Sequence, residues 1–403
     1  MNNSWKKQFI TIYIGQAFSL LGSAAVQFAV IWWLTVQTES AAVLTLSTIV
    51  AILPNVLIGP FAGVWIDRLN RRTVMIAADG LVALSSAILG IAFLLTETPP
   101  IWFVYMILFL RGLGNTFHGP AMRAAIPTLV PADMLVKAGG WGNLVSSISD
   151  MIGPVLGAAL MGFFPIAGIM LVDILGAAFA IICLLFVTIP DIPRSVQSSS
   201  FLSDFKLGIR AMRDNKAFIA VFLPMILVNT LYMPLGSLFP LLVKAHFMGN
   251  SWHNSMILFT FAGGTLVGSA VMGTWGGMKR RFLMASFAIG ILGGCSLLGG
   301  ALPSSGIWIF ALCSFLMGVT GTFISIPVLA FIQESFAPEV LGKVFSLWIT
   351  TMSIAMPLGL LMAGSISDMI GIDRWFIFSG IVLMATALLF RMLTNPYDKS
   401  GQA

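Results

Sequence analysis

Residues 41–65, AAVLTLSTIVAILPNVLIGPFAGVW, run for twenty-five positions without an acid or a base. A helix needs about 20 apolar residues to cross the hydrocarbon of a bilayer. In lipid every peptide group must be satisfied by its own helix or by a closed barrel. Barrel strands alternate apolar and polar residues, and this stretch does not, so a membrane helix is predicted. Twelve such runs follow along the chain, at approximately 9–34, 41–65, 73–95, 100–122, 138–162, 166–189, 217–243, 252–277, 282–301, 306–332, 343–368 and 372–393. The whole chain is 9% charged and 58% hydrophobic, where a soluble protein is about one quarter charged. Lipid must therefore be the solvent for most of its surface. The expected fold is an all-α membrane protein with twelve transmembrane helices. The first run lacks a small-residue cleavage site and is expected to be kept as a helix.

The net charge is +6, and its placement says more than its sum. Lys6, Lys7, Arg68, Arg71, Arg72, Arg123 and Lys137 fall at loops on one side of the expected bilayer. Arg194, Lys206, Arg210, Arg213, Lys216, Lys279, Arg280, Arg281, Lys343, Arg391 and Lys399 fall on that same side, against Lys244 and Arg374 on the other. Basic residues stay cytosolic, so both termini are expected inside. The charge is a topology signal and implies no nucleic-acid partner. Cys183, Cys295 and Cys313 sit within apolar runs and read as packing residues rather than a disulfide framework. His118, His246 and His253 have no metal-binding spacing, so neither a metal nor a cofactor is expected.

The chain repeats itself. FLRGLGNTF at 109–117 matches FLMGVTGTF at 315–323 in five of nine positions, at an offset of 206. GVWIDRLNRR at 63–72 faces GTWGGMKRRF at 273–282, each basic and each after the second helix of its half. The expected organisation is a six-helix bundle over 1–189, a charged cytosolic linker over 190–216 and a second six-helix bundle over 217–403. IGPFAG at 58–63 and IGPVLG at 152–157 add an echo between helices of opposite direction, as inverted repeats would give.

Twelve helices in two similar halves, with a basic loop after the second helix of each, resemble the major facilitator superfamily. GQAFSL (15–20), IDRLNRR, FLRGLGNTFHGPAM, LVDILGA (171–177), IQESFAPEVLGKVFSL and SIAMPLGLLMAGSISDMIG narrow the resemblance to its drug:proton antiporters, and within them to bacterial macrolide efflux proteins. The fold this implies is two pseudo-symmetric six-helix bundles. The function it implies is secondary active export of drugs or macrolides, by proton antiport and alternating access, in a bacterial inner or plasma membrane. The working unit is expected to be a monomer whose partners are a lipophilic small-molecule substrate, protons and membrane lipid.

The resemblance also assigns candidate residues. A cytosolic gate is implied at Gly63, Asp67, Arg68, Arg71 and Arg72, with Glu334 at the end of the tenth run. Asp67 is read as a latch or a helix cap, and Arg71 and Arg72 as topology charges. The family's glycine after the Asp-Arg pair is Asn70 here, and Gly276 and Gly277 stand where the second half would carry its acid. Arg111 lies midway in the fourth run, where a charge costs about 2.5–3.5 kcal/mol on insertion scales. A guanidinium does not titrate at working pH, so it either tunes a carboxylate for proton coupling or anchors helices. The candidate acids for that role are Asp150, Asp173, Asp79 and Glu334, of which Glu334 is assigned to the gate. Asp150 is favoured by depth and by its helix, whereas Asp79 and Asp173 also read as helix-to-helix hydrogen bonds. Gly153, Pro154 and Gly157 resemble the G-P-x-x-G-G pattern of antiporters, with Ala158 departing from it. A kink at Pro154 and close packing at the glycines are the physical content of that pattern. Helices 1, 4, 7 and 10 line the cavity in this fold, which nominates Gln16, Gln27, Trp32, Asn115, Phe117, Asn229, Tyr232 and Phe323.

Other functions fit less. The chain holds no H-E-x-x-H, no G-x-S-x-G with partners and no G-x-x-x-x-G-K-S/T, so neither an enzyme nor a nucleotide-driven pump is expected. Export of another small molecule such as a siderophore, or uptake of a nutrient, stands as the alternative within transport.

Overall fold

A computed structural model describes residues 4–66, 69–96, 98–131, 134–189 and 201–399. Among them the chain is helical and without strands. The long helices are α1 (Ser4–Thr38), α2 (Ala41–Ile66), α3 (Arg71–Leu95), α4 (Ile101–Leu129), α5 (Leu135–Phe163) and α6 (Ile166–Leu185). A short α7 (Phe201–Asp214) precedes α8 (Lys216–Leu241), α9 (Ser251–Trp275), α10 (Arg281–Ala301), α11 (Ile307–Ser335), α12 (Pro338–Ile370) and α13 (Ile372–Lys399). Eleven of these are long and apolar enough to cross a membrane. The twelfth long helix, α4, falls short because Arg111, Asn115 and His118 dilute its apolar run. The twelve expected runs thus each correspond to one long helix. The expected linker differs, since its second half is the amphipathic helix α7, packed on α12 where Gly208 meets Leu347 and Lys343.

The turns between helices follow local chemistry. Gly371 alone separates α12 from α13 and has φ +98, a conformation that favours glycine. Gly276 ends α9 in the left-handed region at φ +74, the usual glycine helix stop. That accounts for the two glycines in the second half's basic loop. Asn70 caps α3 by accepting from the Thr73 amide at 3.1 Å. The cap expected of Asp67 is therefore made by its neighbour, and Asp67 and Arg68 lie outside the described residues.

The chain divides into two compact units, Met1–Gln37 with Ser47–Val196, and Thr38–Leu46 with Gln197–Ala403. Lipid supplies no hydrophobic drive between helices, so association rests on close packing and internal polar bonds. Both appear in each unit. In the first, Gly112 of α4 lies against the Ala51 carbonyl of α2, and Gly114 lies against Ala78 and Val82 of α3. In the second, Gly318 of α11 lies against the Phe261 carbonyl of α9. Gly112 and Gly318 are the glycines shared by FLRG and FLMG. A Cβ at either would collide with that backbone oxygen.

The polar bonds differ between units. In the first, Asp173 of α6 is fully buried and Arg111 of α4 is 5% exposed. Arg111 Nη1 pairs with Asp173 Oδ2, while Ser86 of α3 donates to that oxygen at 2.6 Å and Ser23 of α1 donates to Oδ1 at 2.5 Å. Arg111 also donates to the Ser86 hydroxyl, and to the Ser23 carbonyl at 3.3 Å. One carboxylate therefore ties four helices. At the offset of 206, the second unit carries Met317 and Ser379 in place of Arg111 and Asp173. There Ser296 of α10 donates to the Phe376 carbonyl of α13 at 2.8 Å and lies 3.1 Å from the Ser379 hydroxyl.

The helix ends are also tied. In the first unit Arg72 Nη2, at the start of α3, donates to the Leu185 carbonyl ending α6 at 2.6 Å. In the second, Asp398 of α13 accepts the Phe282 and Leu283 amides opening α10 at 3.3 and 3.0 Å, and pairs with Arg391 at 2.7 Å. Asp368 of α12 likewise takes the Ala41 and Ala42 amides at 2.6 and 3.2 Å and the Ser40 hydroxyl at 2.8 Å. Each places charge where it complements a helix dipole.

Breaking a buried ion pair from one side costs about 3–5 kcal/mol, while replacing both partners costs far less. Asp173→Ser should therefore lower the thermal stability of the purified protein by about that amount, because Arg111 cannot shed its charge. Arg111→Met/Asp173→Ser, which copies the second unit, should recover much of the loss in a detergent melting assay. A double variant no more stable than Asp173→Ser would show that the two charges do not compensate one another.

Candidate transport site

The polar residues of α4 recur at helical spacing: Arg111, Asn115, His118 with Gly119, and Arg123. Positions three and four apart share a helix face, so α4 presents one polar stripe in an otherwise apolar unit. A cleft of about 570 Å³ opens along that stripe, closed by Ser23 and Gln27 of α1, Asn55 of α2 and Asp150 of α5. Arg111 and Asp150 line it together, yet the carboxylate that Arg111 engages is Asp173. Asp150 is exposed, and among the described residues it has no hydrogen-bond or ion-pair partner; Arg123 is likewise exposed and unpaired. The cleft therefore offers one accessible anion, one accessible cation and several neutral hydrogen-bonding side chains. That inventory suits an amphiphilic ligand with a charged group, held by apolar contact and a few directed polar bonds.

A second cleft, about 460 Å³, lies on the other side of His118. Tyr13 and Gln16 of α1 line it with Asn143 and Ser146 of α5. Leu20, His118, Gly119 and Arg123 line both clefts. Behind this wall Asp79 of α3 is 6% exposed. Gln16 Nε2 donates to its Oδ2 at 3.2 Å, and His118 Nε2 lies 3.6 Å from its Oδ1.

The second unit holds a cleft of about 320 Å³ of another kind, lined by Met225, Asn229, Tyr232, Met233, Trp348 and Met352 among others, without an ionised side chain. Asn229 Nδ2 donates to the Met352 carbonyl at 2.9 Å, which joins α8 to α12. Flexible thioethers beside aromatic rings make an adaptable apolar surface.

The expected site residues thus separate. Gln27, Asn115, Arg111 and Asp150 share one cleft, Gln16 stands at the next, and Asn229 and Tyr232 line the third. Trp32 is 6% exposed and packed in the core. Phe117 stacks on Trp65 with centroids 6.0 Å apart, and Phe323 lies 6.4 Å from Trp275; neither lines these clefts. Gly153 and Gly157 of α5 meet Ala24 and Ala25 of α1 in their own unit, with Pro154 buried between them. Of the gate residues, Gly63 falls within α2, Arg71 opens α3 beside Arg72, and Glu334 pairs with Arg281 at 2.7 Å inside the second unit. Sequence reading passed over His118, Asn55 and Asn143, and took Arg123 and Arg281 only as topology charges. The spacing of polar residues along α4 was the available signal for His118 and Arg123.

The transmembrane secretion effector family profile matches residues 4–402. Over 395 residues the chain is 37% identical to Macrolide efflux protein A of Streptococcus pyogenes, covering 98% of this chain and 97% of that protein. It is 38% identical over 323 residues to Macrolide efflux protein A of Enterococcus faecalis, covering 80% and 99%. A bacterial homologue of the human lysosomal transporter Spinster, solved inward-facing and unoccupied, shares the fold with a TM-score of 0.74 at 12% identity over 99% of both chains. A profile match along the whole chain, close relatives named for efflux and a helical architecture shared with solved transporters agree with one another, and the chain belongs to the transmembrane secretion effector family of the major facilitator superfamily, as a multi-pass bacterial membrane protein that exports a small molecule.

Proposed function

We propose that the exporter is a proton-coupled antiporter of lipophilic amines, and that its substrates are 14- and 15-membered macrolides. The observation that carries this reading is Asp150, an unpartnered carboxylate facing a cleft within a unit where Asp173 is locked to an arginine. A substrate ammonium and a proton compete for that carboxylate. Binding of one releases the other, which is the elementary step of exchange. Arg111 and Asp173 hold the unit together while this happens, and Asp79 supplies a further acid behind the cleft. The efflux relatives support the choice of substrate, and the wide cleft suits a bulky ring system.

Alternating access needs a cytosolic gate. We assign it to the α2–α3 connection, with Gly63 near the end of α2, Asp67 and Arg68 following it and Arg71 and Arg72 opening α3, and to Glu334 fixed by Arg281. The excess of basic residues beside these helix ends supports cytosolic termini and a cytosolic 190–216 segment. The two bundles, 1–189 and 217–403, are the bodies that alternate.

Expression in a sensitive, efflux-deleted bacterium should raise erythromycin tolerance and lower cell accumulation of labelled drug. A protonophore should restore accumulation. Unchanged accumulation beside expulsion of another compound class would remove the macrolide assignment.

In inverted vesicles with an imposed pH gradient, Asp150→Asn should weaken erythromycin binding about ten- to hundredfold, the value of one charge-assisted contact of about 1.5–3 kcal/mol. Asp67→Asn should slow turnover at unchanged binding, because it alters the gate and not the cleft. Wild-type kinetics in both variants, at matched membrane levels, would remove these roles.

Single cysteines at Gln37 and Ser305, in a background lacking the native cysteines, should react with an impermeant maleimide added to intact cells. One placed after Ala403 should react only after permeabilisation. The opposite pattern would invert the topology.

A further inference from the structure

His118 is the titratable member of the α4 stripe that the exchange at Asp150 leaves without a role, and it stands between the two clefts. Its Nε2 is buried and has no hydrogen-bond partner. It points toward Asp79 Oδ1 at 3.6 Å, a distance longer than a hydrogen bond and short enough for an ion pair. The same side chain borders both clefts of the unit. A buried polar atom left unsatisfied in a native fold calls for an explanation. An Nε2–H that closes this gap donates to Asp79, and a second proton on Nδ1 turns the contact into an ion pair.

We propose that His118 and Asp79 form a proton-binding couple distinct from Asp150, in which the imidazole takes the proton from the cleft and Asp79 holds the resulting cation. Imidazole carries both a basic ring nitrogen and an N–H donor, so it can take a proton while keeping a bond to a carboxylate. Gln16 and Ser19, both from α1, hydrogen-bond Asp79 and hold it facing His118. The other titratable or charged groups around the couple are Tyr13 from α1, Arg111 and Arg123 from α4, Asp150 from α5 and Asp173 from α6. Arg111 and Asp173 neutralise one another, and Arg123 and Asp150 stand across the clefts as an unpaired cation and anion. The couple therefore lies among nearly balanced charges, and occupation by a proton changes its net charge from −1 to 0. That change is reported to the cleft through His118 itself, without motion of the Arg111 knot.

This inference rests on the proton-coupled reading above, and the experiment separates the two. Labelled erythromycin is the probe, and inverted vesicles with and without an imposed pH gradient are the assay. Wild-type uptake should be driven by the gradient. His118→Gln should lower gradient-driven accumulation at least tenfold more than it lowers erythromycin binding or downhill exchange, and the pH profile of driven uptake should flatten. Asp79→Asn should show the same split. A purely structural role would lower binding and exchange together with driven uptake. Driven uptake by His118→Gln with the wild-type pH profile overturns the couple and leaves proton coupling standing. Wild type that ignores the gradient overturns both. Should neither variant reach the membrane, proton release on erythromycin binding decides the matter in purified wild type and Asp150→Asn. Release remaining in Asp150→Asn at saturating erythromycin supports a second proton site, and its complete loss overturns it.

Discussion

A guanidinium inside a membrane helix is tolerated only if something inside the protein answers its charge, and Arg111 is answered by Asp173. That requirement organises the first unit. Asp173 on α6 reaches α4 through Arg111, α3 through Ser86 and α1 through Ser23, so the pair sets how four helices are rotated about their axes. Once α4 is rotated to bring Arg111 onto Asp173, its positions 115, 118 and 123 follow, because the helical period leaves them no other face. The clefts beside Asn115, His118 and Arg123 are thus a consequence of an ion pair that itself needs no substrate. Gly112 and Gly114, flanking Arg111 in sequence, let α2 and α3 come close enough to bury it.

The second unit shows what the same framework does without the charge. Gly318 repeats the contact of Gly112, carbonyl for carbonyl, yet Met317 replaces Arg111 and serines join α10 to α13 where Asp173 would stand. Its cleft is correspondingly neutral, lined by methionines, Tyr232 and Trp348. Two units of common plan therefore divide their chemistry. One concentrates titratable groups, and the other offers a deformable apolar wall.

The helices were legible because the period and length of apolar runs report membrane spans directly. The duplication was legible because FLRG and FLMG keep the glycine that packing needs. What escaped was facing and partnership. Depth along a helix nominated Asp150 as the neighbour of Arg111, but depth carries no information on rotation, and Asp173 on α6 took the contact. The cap of α3 went to Asn70 because the helix opens at Arg71, and a cap must immediately precede its helix. Helix α7 hid inside a charged linker because its apolar stripe is short; it packs on α12. Aromatic residues were the least legible, since Trp32, Phe117 and Phe323 have the composition of a drug pocket and the packing of core and helix-interface rings.

The three deep acids of the first unit form a graded series, and the grading is itself an argument about work. Asp173 accepts an arginine and two serine hydroxyls and has no exposed surface, so it cannot exchange a partner without dismantling four helices. Asp150 is exposed to a cleft and has no described protein partner, so any ligand that neutralises it gains the full contact. Asp79 lies between, held by the Gln16 amide and by Ser19, and faced by an imidazole just beyond hydrogen-bonding distance. A locked acid and an open one thus coexist in one unit: the first fixes the helices, and the second presents its oxygens to a cleft. Placing all three along one polar stripe lets a rigid ion pair set the geometry within which the softer contacts change.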